Sequence, residues 1–204
     1  MITKILIANR GEIACRIMRT AQRMGIKTVA VYSDADAKAM HVAMADEAVA
    51  LGGSSAADSY LSIPKIIAAC KKTGADAVHP AYGFLSENAD FCAALTAENI
   101  IFIGPNTQAI NQMGDKITAK TIAQAAGVSI VKGFLGALES GEEAVKIARD
   151  IGYPIILKAA AGGGGKGMRV AYTDDEVHEG LKLAMSEAQS SFADSRVFIE
   201  KYIE

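Results

Sequence analysis

Within its first 33 residues the chain runs from a short apolar stretch through a turn and a helical pattern into a second apolar stretch, and few folds accept that succession. "KILIA" (4–8) is a continuous apolar run and "NRGE" follows as a turn. Ile13, Ile17, Met18, Ala21 and Met24 then recur at helical spacing until Gly25 stops them. "TVAVYS" (28–33) is the second buried strand. A strand, helix, strand unit of this size implies a parallel sheet with a right-handed crossover. The alternation continues with "EAVAL" (47–51), a helix opened by Pro64 and running to Lys72, "AVHP" (77–80), a helix from Ala89, and "IIFIG" (100–104). The expectation is α/β with a doubly wound parallel sheet. In such sheets ligands collect beyond the carboxyl ends of the strands. Three polar loops leave those ends: "NRGE" (9–12), "SDAD" (33–36) and "HPAYGFLSEN" (79–88).

The character changes near Asn106. A helix is expected over 115–126, ended by Gly127, and "SGEE" (140–143) reads as a capping box before an amphipathic helix that Gly152 closes. "PIILK" (154–158) and "MRVAY" (168–172) read as strands, "TDDE" (173–176) caps a further helix, and "RVFIEKYIE" (196–204) holds a last strand. This second part is too small for a large core of its own and reads as a lid. Half the residues are hydrophobic, enough for a real core. Twenty-one basic residues nearly balance 23 acidic ones, so bulk charge argues for neither nucleic acid nor an anionic membrane. Cys15, Cys70 and Cys92 form no Cys-x-x-Cys pair and read as buried thiols of a reducing compartment. With no signal-peptide pattern and no run of transmembrane length, the expected location is the cytoplasm, or the mitochondrial matrix if a transit segment has been removed.

Between those two late strands lies "AAAGGGGKG" (159–167), with Gly162, Gly163, Gly164, Gly165, Lys166 and Gly167 in succession. A Walker loop needs Gly-Lys-Ser/Thr opening a helix; here Gly167 follows Lys166 and no hydroxyl is present. The dinucleotide fingerprint G-x-G-x-x-G is satisfied trivially, and the residues after it, Met168 to Tyr172, alternate like a strand. The third reading is a hairpin flap whose amides form an anion nest over a polyphosphate, with Lys158 as a fixed cation and Lys166 as a mobile one.

"YPIILKAAAGGGGKGM" resembles the glycine-rich segment of ATP-grasp enzymes, and "ILIANRGEIACRI", "HPAYGFLSEN", "FIGP", "MGDK" and "IEKYIE" resemble biotin carboxylases at corresponding spacing over essentially the whole chain. "RGEIACR", "MADEAV" and "GGGGKGMR" are most similar to the biotin carboxylase subunits of propionyl-CoA carboxylase and related acyl-CoA carboxylases. The resemblance implies a Rossmann-like domain over 1–113, a linking helix over 114–131 and an incomplete ATP-grasp lid over 132–204. It implies ATP, Mg2+ and carrier-bound biotin as cofactors. Bicarbonate would be activated as carboxyphosphate and its carboxyl group passed to biotin N1. A biotin carboxyl carrier domain and a carboxyltransferase subunit are the implied partners, in a homo-oligomer.

Carried over by position, the ATP contacts are Lys116, Lys158, Gly163, Gly164, Gly165, Lys166, Gly167, Met168, Glu200, Lys201, Tyr202 and Ile203. Glu200, Lys201 and Ile203 would meet the adenine and Met168 would pack on it. Tyr82 and Gly83 would line the bicarbonate and biotin side. His79 reads as a hydrogen-bonding structural residue, Glu87 as a carboxylate favoured at a helix N-terminus, and Arg16 and Arg19 lie where family members dimerise. The catalytic and metal-binding residues of the family come after the last strand, so they are expected beyond Glu204, and these 204 residues alone are expected to be inactive as a carboxylase. Two departures stand out. Ala81 replaces the family's usual glycine, which endangers a turn if the position needs positive φ, and Lys132 replaces a usual proline, so that turn is expected to be looser. A different ATP-grasp ligase, a nucleotide-sensing module and a Rossmann oxidoreductase are the competing readings.

Overall fold

The computed structural model describes residues 1–161, 165 and 167–204, in two compact units, Met1–Asn111 and Gln112–Glu204. The first unit runs β1 (Lys4–Ile7), α1 (Gly11–Arg23), β2 (Lys27–Tyr32), α2 (Met40–Met44), β3 (Glu47–Ala50), α3 (Ile63–Thr73), β4 (Ala77–His79), α4 (Ala89–Ala97) and β5 (Ile101–Phe102). All pairings are parallel and the strand order is β3-β2-β1-β4-β5. The chain winds outward from β1 through β2 and β3, then crosses back to β4 on the other side of β1. This is the doubly wound α/β sheet expected from the sequence, and its switch point lies between β1 and β4.

Both faces of that sheet are covered. Leu6, Val29, Val31 and Val78 join Ile66, Phe91 and Leu95 in one core cluster, whereas Ile5, Ile7, Ala30 and Ala77 join Ile17, Met18 and Ala21 in another. The period of two along β1 divides its side chains between α3 and α4 on one face and α1 on the other. The turn after α1 holds Gly25, whose φ of +74° suits glycine, and α3 carries Pro64 in its first turn. The three cysteines are buried, and burial pushes the Cys70 thiol up to about 12. β5 spans only two residues, shorter than the apolar run suggests, because Gly104 and Pro105 turn the chain away.

Then come α5 (Thr107–Gly114), α6 (Lys116–Ala125), α7 (Gly141–Ile151), β6 (Ile155–Ala159), β7 (Met168–Ala171), α8 (Asp174–Phe192) and β8 (Val197–Lys201). The second unit holds an antiparallel sheet in the order β7-β6-β8. Ile155, Leu157, Ala171, Val197 and Ile199 point to one face and pack with Val145, Ala148, Val177 and Leu181 of α7 and α8. The capping boxes differ from expectation in one detail. Ser140 Oγ and Thr173 Oγ1 accept from the amides of Glu143 and Glu176 as predicted, but the two glutamates reach one residue further back, to the amides of Glu139 and Tyr172.

The looser turn expected at Lys132 is not found. Its carbonyl accepts from the amide of Lys201 at 2.8 Å, and its ammonium donates to the carbonyls of Asp150 and Ile151 at 2.7 and 3.1 Å. A lysine there satisfies two orphan acceptors at the end of α7, a tie that proline could not make. Among the described residues no helix is long and apolar enough to cross a membrane.

Candidate functional site

The face of the second sheet that α7 and α8 leave open carries the charged residues. Alternation along β6 puts Leu157 into the core and Ile156 and Lys158 on the opposite face; along β8 it does the same for Phe198 and Glu200. The antiparallel register pairs Lys158 with Phe198 and Ile156 with Glu200, so Lys158 and Glu200 are diagonal neighbours. Lys158 Nζ donates to Glu200 Oε1, and Lys120 Nζ donates to Glu200 Oε2. Lys120 comes from α6, one turn after Lys116 and on the same face. Its ammonium also donates to the Val131 carbonyl at 3.3 Å and lies 5.6 Å from the centroid of the Phe198 ring. Lys116 Nζ donates to the carbonyls of Ala159 at 2.9 Å and Ala161 at 3.4 Å.

Two ammonium groups thus share one carboxylate, and a third, that of Lys116, lies near enough to feel the charge of Lys158. Burial pushes the Glu200 carboxyl up, yet the hydrogen bonds from Lys120 and Lys158 outweigh it and leave the group below its ordinary value. Burial and the neighbouring Lys158 charge hold Lys116 below the usual lysine range. Among the described residues Lys116 has no carboxylate partner. The cluster carries a surplus of positive charge in a half-buried place, which suits an anion with several oxygens.

Beside it the chain makes the expected hairpin. Lys158 pairs across with Met168, and the amide of Ala159 donates to the carbonyl of Gly167 at 3.0 Å. Gly165 and Gly167 both have positive φ, +82° and +68°. Gly162, Gly163, Gly164 and Lys166 lie outside the described residues. Met168 is partly exposed on the same face as Lys158, where it can lie against a flat ligand. At the end of β8, the Lys201 ammonium donates to the carbonyls of Gly152 and Tyr153, and the Tyr202 amide donates to the Pro154 carbonyl. Ile203 is exposed, and among the described residues its amide has no acceptor. That leaves a backbone donor open three residues after Glu200, an acceptor.

The first unit gathers its own polar groups at the switch point. Asn9 Nδ2 donates to the carbonyls of Pro80 and Tyr82 at 3.0 and 2.8 Å, tying the loop after β1 to the loop after β4. Tyr82 is exposed and its hydroxyl donates to Glu12 Oε1 at 2.6 Å. Arg10 reaches Asp36 at 3.3 Å, so the third polar loop joins the same end of the sheet. An open cleft there is lined by Asn9, Arg10, Glu12, Tyr82 and Gly83. His79 Nδ1 accepts from the Ala81 amide at 3.0 Å, in keeping with the structural role expected of it, and burial lowers its pKa. Glu87 precedes the cap of α4, which is Asn88, and Arg16 and Arg19 are exposed on α1.

Ala81 holds the turn despite its side chain. Its φ is +58°, a left-handed conformation that costs a residue with a Cβ about 1–2 kcal/mol. Ala81→Gly is therefore expected to stabilise the protein by about 0.5–1 kcal/mol after the added backbone entropy of glycine is deducted, as read by urea unfolding. An unchanged or lowered midpoint would show that the strain is relieved elsewhere.

Three participants are not found by reading the sequence. Lys120 carries a usable signal, its spacing of four from Lys116. Asn9 and the fully buried His41, which bridges the Gly11 amide and the Val31 carbonyl, carry none, because their partners are distant in sequence.

Comparison with known proteins gives two family matches: the biotin carboxylase N-terminal domain over residues 1–110, and the ATP binding domain of the carbamoyl-phosphate synthase L chain over residues 115–204. The propionyl-CoA carboxylase alpha chain of Ruegeria pomeroyi is 60% identical over 203 residues, covering 100% of this chain and 30% of that one. A crystal structure of a biotin carboxylase β-γ-ATP complex from Campylobacter jejuni superposes with a TM-score of 0.96 at 49% identity, over 100% of this chain and 46% of that one. The biotin carboxylase domain dimer of Hydrogenobacter thermophilus 2-oxoglutarate carboxylase, in complex with MgADP, ADP and bicarbonate, gives 0.92 at 45% identity, over 100% and 45%. The chain spans less than half the length of each of these relatives.

Proposed function

The chain belongs to the biotin carboxylase family, and from that premise we propose that it supplies the nucleotide-gripping part of a biotin carboxylase. The reaction is the ATP- and bicarbonate-dependent carboxylation of biotin. MgATP phosphorylates bicarbonate to carboxyphosphate, and the carboxyl group then passes to N1 of a biotin held on a carrier domain. A carboxyltransferase partner would move it on to an acyl-CoA, and the similarity to propionyl-CoA carboxylase alpha chains favours propionyl-CoA. The observation that carries this reading is the pair of lysines on Glu200, with Lys116 close to Lys158, at the root of a glycine hairpin.

Lys158 and Lys116 would meet phosphate oxygens, with the loop from Gly163 to Gly167, including Lys166, closing over them. Glu200, Lys201 and Ile203 would hold the base edge by an acceptor and a backbone donor, with Tyr202 beside them and Met168 on the ring face. Tyr82 and Gly83 would face bicarbonate and biotin. Among the described residues no three carboxylate, imidazole or thiol side chains converge on one point, so none is assigned to magnesium. In domain terms, 1–113 forms the Rossmann-like unit, 114–131 the link and 132–204 the lid. A homo-oligomer is part of the same proposal, as is a location in the cytoplasm or the mitochondrial matrix.

ADP release from MgATP by the full-length protein tests it. Turnover is expected to require bicarbonate and to rise when free biotin is added. Turnover indifferent to bicarbonate would instead favour another ATP-grasp ligase.

A further inference from the structure

The Glu200 carboxylate has two lysine partners that are not alike. Lys120 is the less exposed, at 15% against 28% for Lys158. It is also the more firmly held, since its ammonium has the Val131 carbonyl and the Phe198 ring face besides Glu200. Among the described residues, Glu200 is the only hydrogen-bond partner of the Lys158 ammonium. Lys116 makes no contact with Glu200 among the described residues; its ammonium donates to the carbonyls of Ala159 and Ala161.

A phosphate that draws Lys158 away would, with Lys158 alone as partner, leave a nearly buried carboxylate uncompensated, which is strongly unfavourable. With Lys120 fixed on the other oxygen, the charge on Glu200 stays paired whichever way Lys158 points. We propose that Lys120 is a positioning residue that keeps Glu200 neutralised and oriented, so that Lys158 is free to move onto the phosphates of a bound nucleotide. The proposal rests on the nucleotide-site reading above and adds to it a residue that touches no ligand. It also accounts for two lysines converging on a carboxylate that one could neutralise.

The test is the KM and Kd for MgATP of the full-length protein and three variants. Lys120→Met keeps the length and the packing on Phe198 and removes the charge. It is expected to raise KM and Kd about tenfold, the equivalent of roughly 1.4 kcal/mol, with kcat little changed. Lys120→Arg is expected to restore most of the affinity. So is the double variant Lys120→Met/Glu200→Gln, since an amide cannot hold Lys158 by charge. A purely structural role for Lys120 predicts a double variant no better than Lys120→Met, and that result would overturn the proposal, as would an unchanged KM in Lys120→Met. Should Lys120→Met fold poorly, Lys120→Gln is expected to show the same rise. Failure of the unmodified protein to bind MgATP at all would instead sink the nucleotide-site reading itself.

Discussion

Glu200→Ala is expected to lower the unfolding free energy of the second unit by about 3 kcal/mol, because it leaves two ammonium groups side by side with their shared partner gone. The value sits at the low end for a broken buried pair, since Lys158 and Lys120 keep some access to water that screens their repulsion. The effect should depend on pH in one direction. Glu200 is held below its ordinary 4.5, so its contribution is fully present above that value and is lost as pH falls through the depressed one. Urea unfolding of the two proteins should therefore show the difference at pH 7 and a narrowing gap below pH 4.5. A gap of equal size at pH 3 would assign the loss to packing against Phe198 and not to the ion pairs. The same substitution should weaken MgATP, because Glu200 is the proposed acceptor for the base, and alanine lacks the side-chain oxygen that glutamine would keep.

The doubly wound sheet is legible in the sequence because its signals are local. Apolar runs of four to six residues, a helical stripe in α1 and a glycine or proline at most joints report strand, helix and turn without knowledge of the rest. The hairpin of β6 and β7 is legible for the same reason, since "MRVAY" alternates. The short α2 and the helix α5 carry weak periodicity and do not stand out. In the site, the type of each residue can be read but not its partner. Lys158 is expected as a fixed cation for phosphate, and the structure pairs it with Glu200; that pairing depends on the register of two strands some 42 residues apart. Lys201 shows the same gap. Its segment reads by resemblance as meeting a base, while its side chain is spent on the carbonyls at the end of α7. Lys120 is the opposite case, a residue whose helical spacing from Lys116 is usable without any coordinates.

Gly167→Val is expected to cost about 3 kcal/mol and Gly165→Ala only about 1, although both glycines sit in the same loop with positive φ. The difference lies in what surrounds them. At Gly165 a Cβ would meet nothing within 4 Å among the described residues, so the expected cost is that of the backbone conformation. At Gly167, which is buried, a Cβ would come to 2.9 Å from the Cβ of Ala159 and 3.7 Å from the carbonyl oxygen of Ala184. A valine there adds two branched methyl groups in a conformation that β-branched residues avoid. Since the Gly167 carbonyl accepts from Ala159 at the root of the hairpin, relief of the clash must move β6, which carries Lys158. Gly167→Val should accordingly raise the KM for MgATP as well as lower the unfolding midpoint, while Gly165→Ala should change the midpoint modestly. Equal losses of stability in the two variants would mean that the glycines serve backbone freedom alone, and that the close approach to Ala159 has no part in holding the loop against its lysine.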